Sequence, residues 1–182
     1  MPRPVAAQYE ARMAEKDMIA AVQSALDDRG IDDKIVEVGQ FEPRGMVGSM
    51  FAGGFIGDEV GGSVGGAIGA LGGIAASSHS QGLPTHMLVG ASASSVYGFK
   101  MGPRGRRDEP HDLLFRVPRD ELDVKVHARV NVRILELIDA NTGSRIELEG
   151  NRLPITHSHD LIKFLAGDDA IAAADASSAR DG

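Results

Sequence analysis

The spacing of hydrophobic positions changes repeatedly along this chain, and each change predicts a different element. Over residues 5–28, Ile19, Val22 and Leu26 recur at helical intervals beside Met18 and Ala25. Glu15, Lys16, Asp27 and Asp28 fall elsewhere, which predicts an amphipathic helix. Gly30 follows Asp27-Asp28-Arg29 and is placed to end it. Residues 31–44 alternate loosely, with Ile35, Val36, Val38 and Phe41 among charges and Pro43 near the end. That pattern fits a short strand or an extended connector.

Between Gly45 and Ala76 the only charged residues are Asp58 and Glu59. Gly53, Gly57, Gly61, Gly65, Gly69 and Gly73 recur at every fourth position, and Gly54, Gly62, Gly66 and Ala70 make a second row. On a helix this spacing builds one nearly straight ridge, along which another backbone can approach closely. Each glycine would cost an isolated helix in water about 0.5–1 kcal/mol relative to alanine. The pattern therefore implies a partner packed on the ridge. Three arrangements fit: a helical hairpin bent at Gly57-Asp58-Glu59 in or on a membrane, a long helix in a glycine-packed bundle, and a flexible linker. The regular spacing disfavours the linker, which has no reason to keep glycine in register. The stretch from Val60 to Ala76 lies at the lower edge of a membrane span, for which about 20 residues are usual.

Beyond Leu83-Pro84 the spacing becomes that of strands. Residues 86–91, 95–100 and 113–117 are short strand-like runs. Val124, Val126, Ala128, Val130, Val132 and Ile134 then alternate with Asp123, Lys125, His127, Arg129, Asn131 and Arg133. This run is long for one strand, so a turn is expected near Arg129 to Asn131. Ala140-Asn141-Thr142-Gly143 is a hairpin signal between residues 135–139 and 145–149. Ser158 or Thr156 can cap a last helix that buries Leu161, Ile162, Phe164 and Leu165, with Gly167 closing it. The Ala, Ser and Asp residues that follow are expected to be disordered.

Composition narrows the function classes. Aromatic residues are 4% of the chain and tryptophan is absent, while glycine reaches 23 residues, so the apolar content is mostly small and the core thin. Self-association or a membrane would supply the missing burial. A net charge of −7 opposes a nucleic-acid partner. With no cysteine there is neither a disulfide framework nor a thiolate metal site. Met1-Pro2-Arg3-Pro4-Val5 leads into a charged stretch rather than the apolar run of a signal peptide, so a cytoplasmic location is expected.

Short strands in meander order followed by one helix resemble pleckstrin-homology-like and GRAM-like domains. Residues 86–100 look like their opening hairpin, and Arg145-Ile146-Glu147-Leu148-Glu149-Gly150 with the helix at 158–166 looks like their closing one. The resemblance covers about residues 84–166 and departs from the family in lacking a tryptophan in the last helix. It implies a module that binds lipid headgroups or peptides rather than an enzyme. The glycine-rich stretch is similar, by spacing, to glycine-zipper membrane hairpins.

Candidate chemistry is sparse. His157-Ser158-His159-Asp160 has the flavour of a metal site, but a catalytic zinc needs a third fixed protein ligand and none is adjacent. A helix-capping turn explains it better, and no metal or other cofactor is expected. Lys100, Arg104, Arg106 and Arg107 form a basic loop that could meet anionic headgroups, although Asp108 and Glu109 blunt it. No Gly-Lys-Ser/Thr follows the glycines, and Gly90-Ala91-Ser92-Ala93-Ser94 misses the nucleophile elbow at its last position. No catalytic residues are assigned.

The expected fold is α+β. Residues 1–44 form a helix and extended connector, 45–77 a glycine-zipper helix, 84–166 a small antiparallel β domain closed by one C-terminal helix, and 167–182 a disordered tail. The expected function is a non-enzymatic accessory or scaffold protein. It would self-associate through the glycine segment and bind a protein or a lipid headgroup through the β domain, as a peripheral or hairpin-inserted protein at the inner face of the membrane. The alternative is a soluble pleckstrin-homology-like adaptor, and a metal-dependent enzyme ranks third.

Overall fold

A computed structural model of the chain describes residues 5–47, 84–101, 110–129, 132–141, 143–151 and 156–179. Helix α1 (Val5–Asp27) comes first, followed by strands β1 (Ile35–Val47), β2 (Met87–Ser92), β3 (Ser95–Met101) and β4 (Pro110–Pro118). A 3-10 turn (Arg119–Glu121) leads into β5 (Leu122–Ala128), β6 (Val132–Asp139) and β7 (Arg145–Asn151). Helices α2 (Ser158–Ala166) and α3 (Asp168–Ser178) end the described chain. The architecture is α+β: one antiparallel sheet of order β4-β3-β2-β1-β7-β6-β5, with the helices packed against it.

The α1 helix ends as its sequence predicts. Gly30 adopts φ +67°, which a Cβ would disfavour, and its N–H bonds to Asp27 O at 2.9 Å. The buried stripe of Met18, Val22 and Leu26 lies against Ile35, Val38, Leu88, Tyr97 and Phe99 on one face of β1–β4. Opposite-facing residues of the same strands, among them Phe41, Met87, Val89 and Phe115, meet Leu135, Leu137, Ile146 and Leu148 of β6 and β7. Strand β2 is consequently buried on both faces, which explains why Met87-Leu88-Val89-Gly90-Ala91 reads as a nearly unbroken apolar run.

The segment open to two readings, strand or connector, is the strand at the middle of the sheet. Residues 35–41 of β1 pair with β2, and residues 42–47 pair with β7. Pro43, which has no N–H to give a ladder, sits at this changeover, where the register with β7 shifts between Pro43 and Gly45. The long alternating run divides where expected. Arg129 and Val132 exchange backbone hydrogen bonds of 2.9 and 3.3 Å across the β5–β6 turn. At the β6–β7 turn Gly143 has φ +69° and its N–H bonds to Asp139 O at 2.8 Å.

Two expectations for the C-terminal region are corrected. The domain is closed by a pair of helices rather than one, because Asp168–Ser178 is helical instead of disordered. Its alanines favour helix, and Asp168 and Asp169 complement the N-terminal end of the helix dipole. Ile171 and Ala174 are buried, and Asp175 accepts a 2.8 Å bond from Arg133 of β6. Neither Ser158 nor Thr156 caps α2. Both hydroxyls donate to Asn151 O, at 2.8 and 3.2 Å, and the cap position belongs to His157, whose side chain makes no capping bond. The buried face is as expected at Leu161 and Ile162, while Phe164 and Leu165 are partly buried.

The glycine series Gly53, Gly57, Gly61, Gly65, Gly69 and Gly73 lies outside the described residues, as do Arg104, Arg106 and Arg107. Among the described residues no helix is long and apolar enough to cross a membrane.

Helix α2 rests directly on β1 at Gly39, where a Cβ would stand 3.0 Å from Ser158 Cα and 3.2 Å from His157 O. Gly39→Ala is expected to destabilise the fold by about 1–3 kcal/mol through overpacking, read as a lower urea midpoint at unchanged slope.

Candidate functional site

Register shows which way the strands flanking the two features that the sequence singled out are directed. Phe41 of β1 pairs with Met87 of β2, Met87 with Lys100 of β3, and Met101 with Pro110 of β4. Residues 48–86, which include the glycine series, and residues 102–109, which include Arg104, Arg106 and Arg107, therefore leave from the same end of the sheet. Lys100 is exposed there. Glu42 of β1 and His86, which precedes β2, stand 3.6 Å apart. The connection departs after Val47, opposite Arg145 of β7, and returns at Met87, opposite Phe41 of β1.

The histidine cluster does not assemble as a metal site. The ring of His157 is buried while His159 is exposed, and His159 Nδ1 lies 3.0 Å from the Arg133 guanidinium. Among the described residues no group of three histidine or carboxylate side chains is arranged to hold a metal ion.

Sequence reasoning passed over two polar clusters. At the entry to β1, one oxygen of Asp33 accepts from Ser92 Oγ at 2.6 Å, Tyr97 Oη at 2.7 Å and Ser94 Oγ at 2.8 Å. Burial pushes the Asp33 carboxyl upward, but the bonds from Ser92, Tyr97, Ser94 and the Lys34 N–H outweigh it and hold the group below its ordinary value. Burial and the bond to Asp33 push the Tyr97 phenol up to about 12. These bonds pin the start of β1 to the β2–β3 hairpin. The only advance signal was Ser92, Ser94 and Tyr97 within one hairpin, and their acceptor lies about sixty residues upstream.

On the outward face of β5–β7, Glu136 is 5% exposed. Its oxygens lie 3.1 Å from His127 Nε2 and 3.1 Å from an Arg145 nitrogen. Burial opposes its charge, yet the His127 hydrogen bond and the charges of Arg145 and Lys125 bring it below the ordinary glutamate value. These side chains come from three neighbouring strands, Lys125 and His127 on β5, Glu136 on β6 and Arg145 on β7. The arrangement satisfies a carboxylate in the sheet.

No protein-family model matches this chain, and no curated protein matches it.

Asp33→Asn is expected to destabilise the domain at neutral pH by about 1–3 kcal/mol, the range for disturbing a charged hydrogen-bond acceptor. In the unmodified protein this contribution is present above the unfolded value near 3.8 and is lost as pH falls through the lower folded value. Urea titrations at a series of pH values should therefore show a smaller acid-side loss of stability in the variant.

Proposed function

We propose that this chain is a non-enzymatic, pleckstrin-homology-like binding module that carries a self-association segment in the connection between β1 and β2. The observation that carries the reading is the common exit of residues 48–86 and residues 102–109 from one end of the sheet. A strongly apolar, glycine-ridged segment and a basic loop would there address one surface together. Further support comes from the strand order β4-β3-β2-β1-β7-β6-β5 and from the C-terminal helices, which pack on β1 and β5.

The reading assigns helix packing to Gly53, Gly57, Gly61, Gly65, Gly69 and Gly73, and headgroup or acidic-partner contact to Lys100, Arg104, Arg106 and Arg107. Glycine ridges let backbones approach closely, and each basic residue near an anionic surface contributes about 1 kcal/mol. The acidic charge of the whole chain directs assembly through the uncharged ridge rather than through the remaining surface. Two partners fit this site: further copies of the chain, packed ridge to ridge, and the anionic inner face of a membrane.

Light scattering and sedimentation with anionic vesicles test the proposal on three forms of the protein. The full chain is expected to be oligomeric or to pellet with vesicles. Replacement of residues 48–83 by a short turn should leave a folded monomer that stays in the supernatant, and Gly61→Leu with Gly65→Leu should behave like that replacement. If the full chain is monomeric and does not bind vesicles, the proposal fails. Equal assembly of all three forms would likewise overturn the role of the glycines.

A further inference from the structure

Strands β4 and β5 are the edges of the sheet among the described residues, and they differ as edges. An edge presents backbone N–H and C=O groups that another strand can bind, and natural sheets guard against this with prolines and bulges. Strand β4 is guarded in both ways. It begins at Pro110 and ends at Pro118, and its register with β3 shifts between Gly98 and Phe99 and again between Phe99 and Met101. Strand β5 holds no proline and pairs with β6 from Leu122 to Ala128 without a shift.

The hydrogen bonds at both ends of the β5–β6 ladder fix which backbone groups of β5 face outward. Arg129 and Val132 exchange bonds, and Glu121 O accepts from the Ala140 N–H. Bonded and non-bonded pairs alternate along an antiparallel ladder. Asp123, Lys125 and His127 therefore bond to β6, while the backbone of Leu122, Val124 and Val126 points away from it. The Leu122 N–H is already given to Arg119 O. On the core side Leu122, Val124 and Val126 are only partly buried, and on the other side Asp123 and Lys125 are exposed. Helix α3 packs against the same strand, and its exposed residues Ala172, Ala173 and Ala176 have no long side chain to hold a neighbour off.

We propose that β5 is a pairing edge for a second copy of this chain, which adds its own β5 antiparallel about a two-fold axis at Val124. Charge selects this register, because opposite charges across a ladder attract and like charges repel. An axis at Asp123 or Lys125 sets that residue against itself. An axis at Leu122 sets Glu121 against Asp123, and one at Val126 sets Lys125 against His127. Only the axis at Val124 places Asp123 of each copy opposite Lys125 of the other. The outward backbone groups then match as well. The Val124 N–H of each copy donates to Val124 O of the other, and the Val126 N–H donates to Leu122 O. One pair of edge strands is a small interface, so it forms between copies already held together, and it rests on the self-association proposed for the glycine segment.

The chain has no cysteine of its own, so cysteines placed on the exposed side of β5 read the register. In the proposed pairing residues 123 and 125 of opposite copies form a non-hydrogen-bonded pair, with Cα atoms about 4.5 Å apart. Each of them lies roughly 7–8 Å from its own counterpart. A disulfide spans the first separation and not the second. Under mild oxidation the full chain carrying Asp123→Cys and Lys125→Cys together is expected to give a disulfide-linked dimer on non-reducing electrophoresis, about tenfold more than either single variant. Light scattering on the reduced protein separates this pairing from the glycine segment. An assembled chain whose double variant links no better than the single ones overturns the pairing and leaves the glycine reading standing. A monomeric chain overturns the glycine reading. Linkage confined to the double variant would then still support the pairing, and its absence would reject both.

Discussion

Strand β1 hydrogen-bonds to β2 through its first half and to β7 through its second, and among the described residues no other strand joins the two halves of the sheet. Every contact between the β2–β4 meander and the β5–β7 meander depends on where this strand lies. Its alternate side chains serve both cores. Ile35 and Val38 pack toward α1, and Phe41 packs toward β6, β7 and α2. The two register irregularities, near Val36 and between Pro43 and Gly45, let one strand meet partners along different parts of its length.

That dependence organises the polar clusters as well. Asp33 fixes the approach to β1 by gathering the hydroxyls of Ser92, Ser94 and Tyr97 onto one carboxylate oxygen. Gly39 admits the first turn of α2. The strand that completes the sheet therefore also receives the closing helices. Arg133 adds a tie from the other meander, reaching Asp175 of α3 and His159 of α2.

Placing a long insertion between β1 and β2 is compatible with this design because its ends are held by paired strands. Closing a longer loop between fixed ends adds entropy cost only slowly with length, roughly 0.6 kcal/mol per doubling. The ladder from Phe41 and Met87 onward is made by residues on either side of the insertion.

Local patterns determined a large part of this fold. The helical stripe of α1, the breaks at Gly30 and Gly143, the strands from Met87 onward and the apolar face of α2 all follow from spacing and turn chemistry, which act over a few residues. Three features were beyond that range. The loose alternation of residues 31–44 became the central strand only because β2 and β7 supply its hydrogen bonds. The Ala-rich tail became α3 because Ile171, Ala174 and Asp175 found partners on the sheet and on Arg133. The His157–Asp160 turn was legible as a possible capping motif, but burial on Gly39 decided that its imidazole would be enclosed and unbonded. The sequence by itself determined which segments favour helix or strand, because backbone preference and hydrophobic period are local. Tertiary structure alone decided which of them meet, since pairing and burial join residues far apart in the chain.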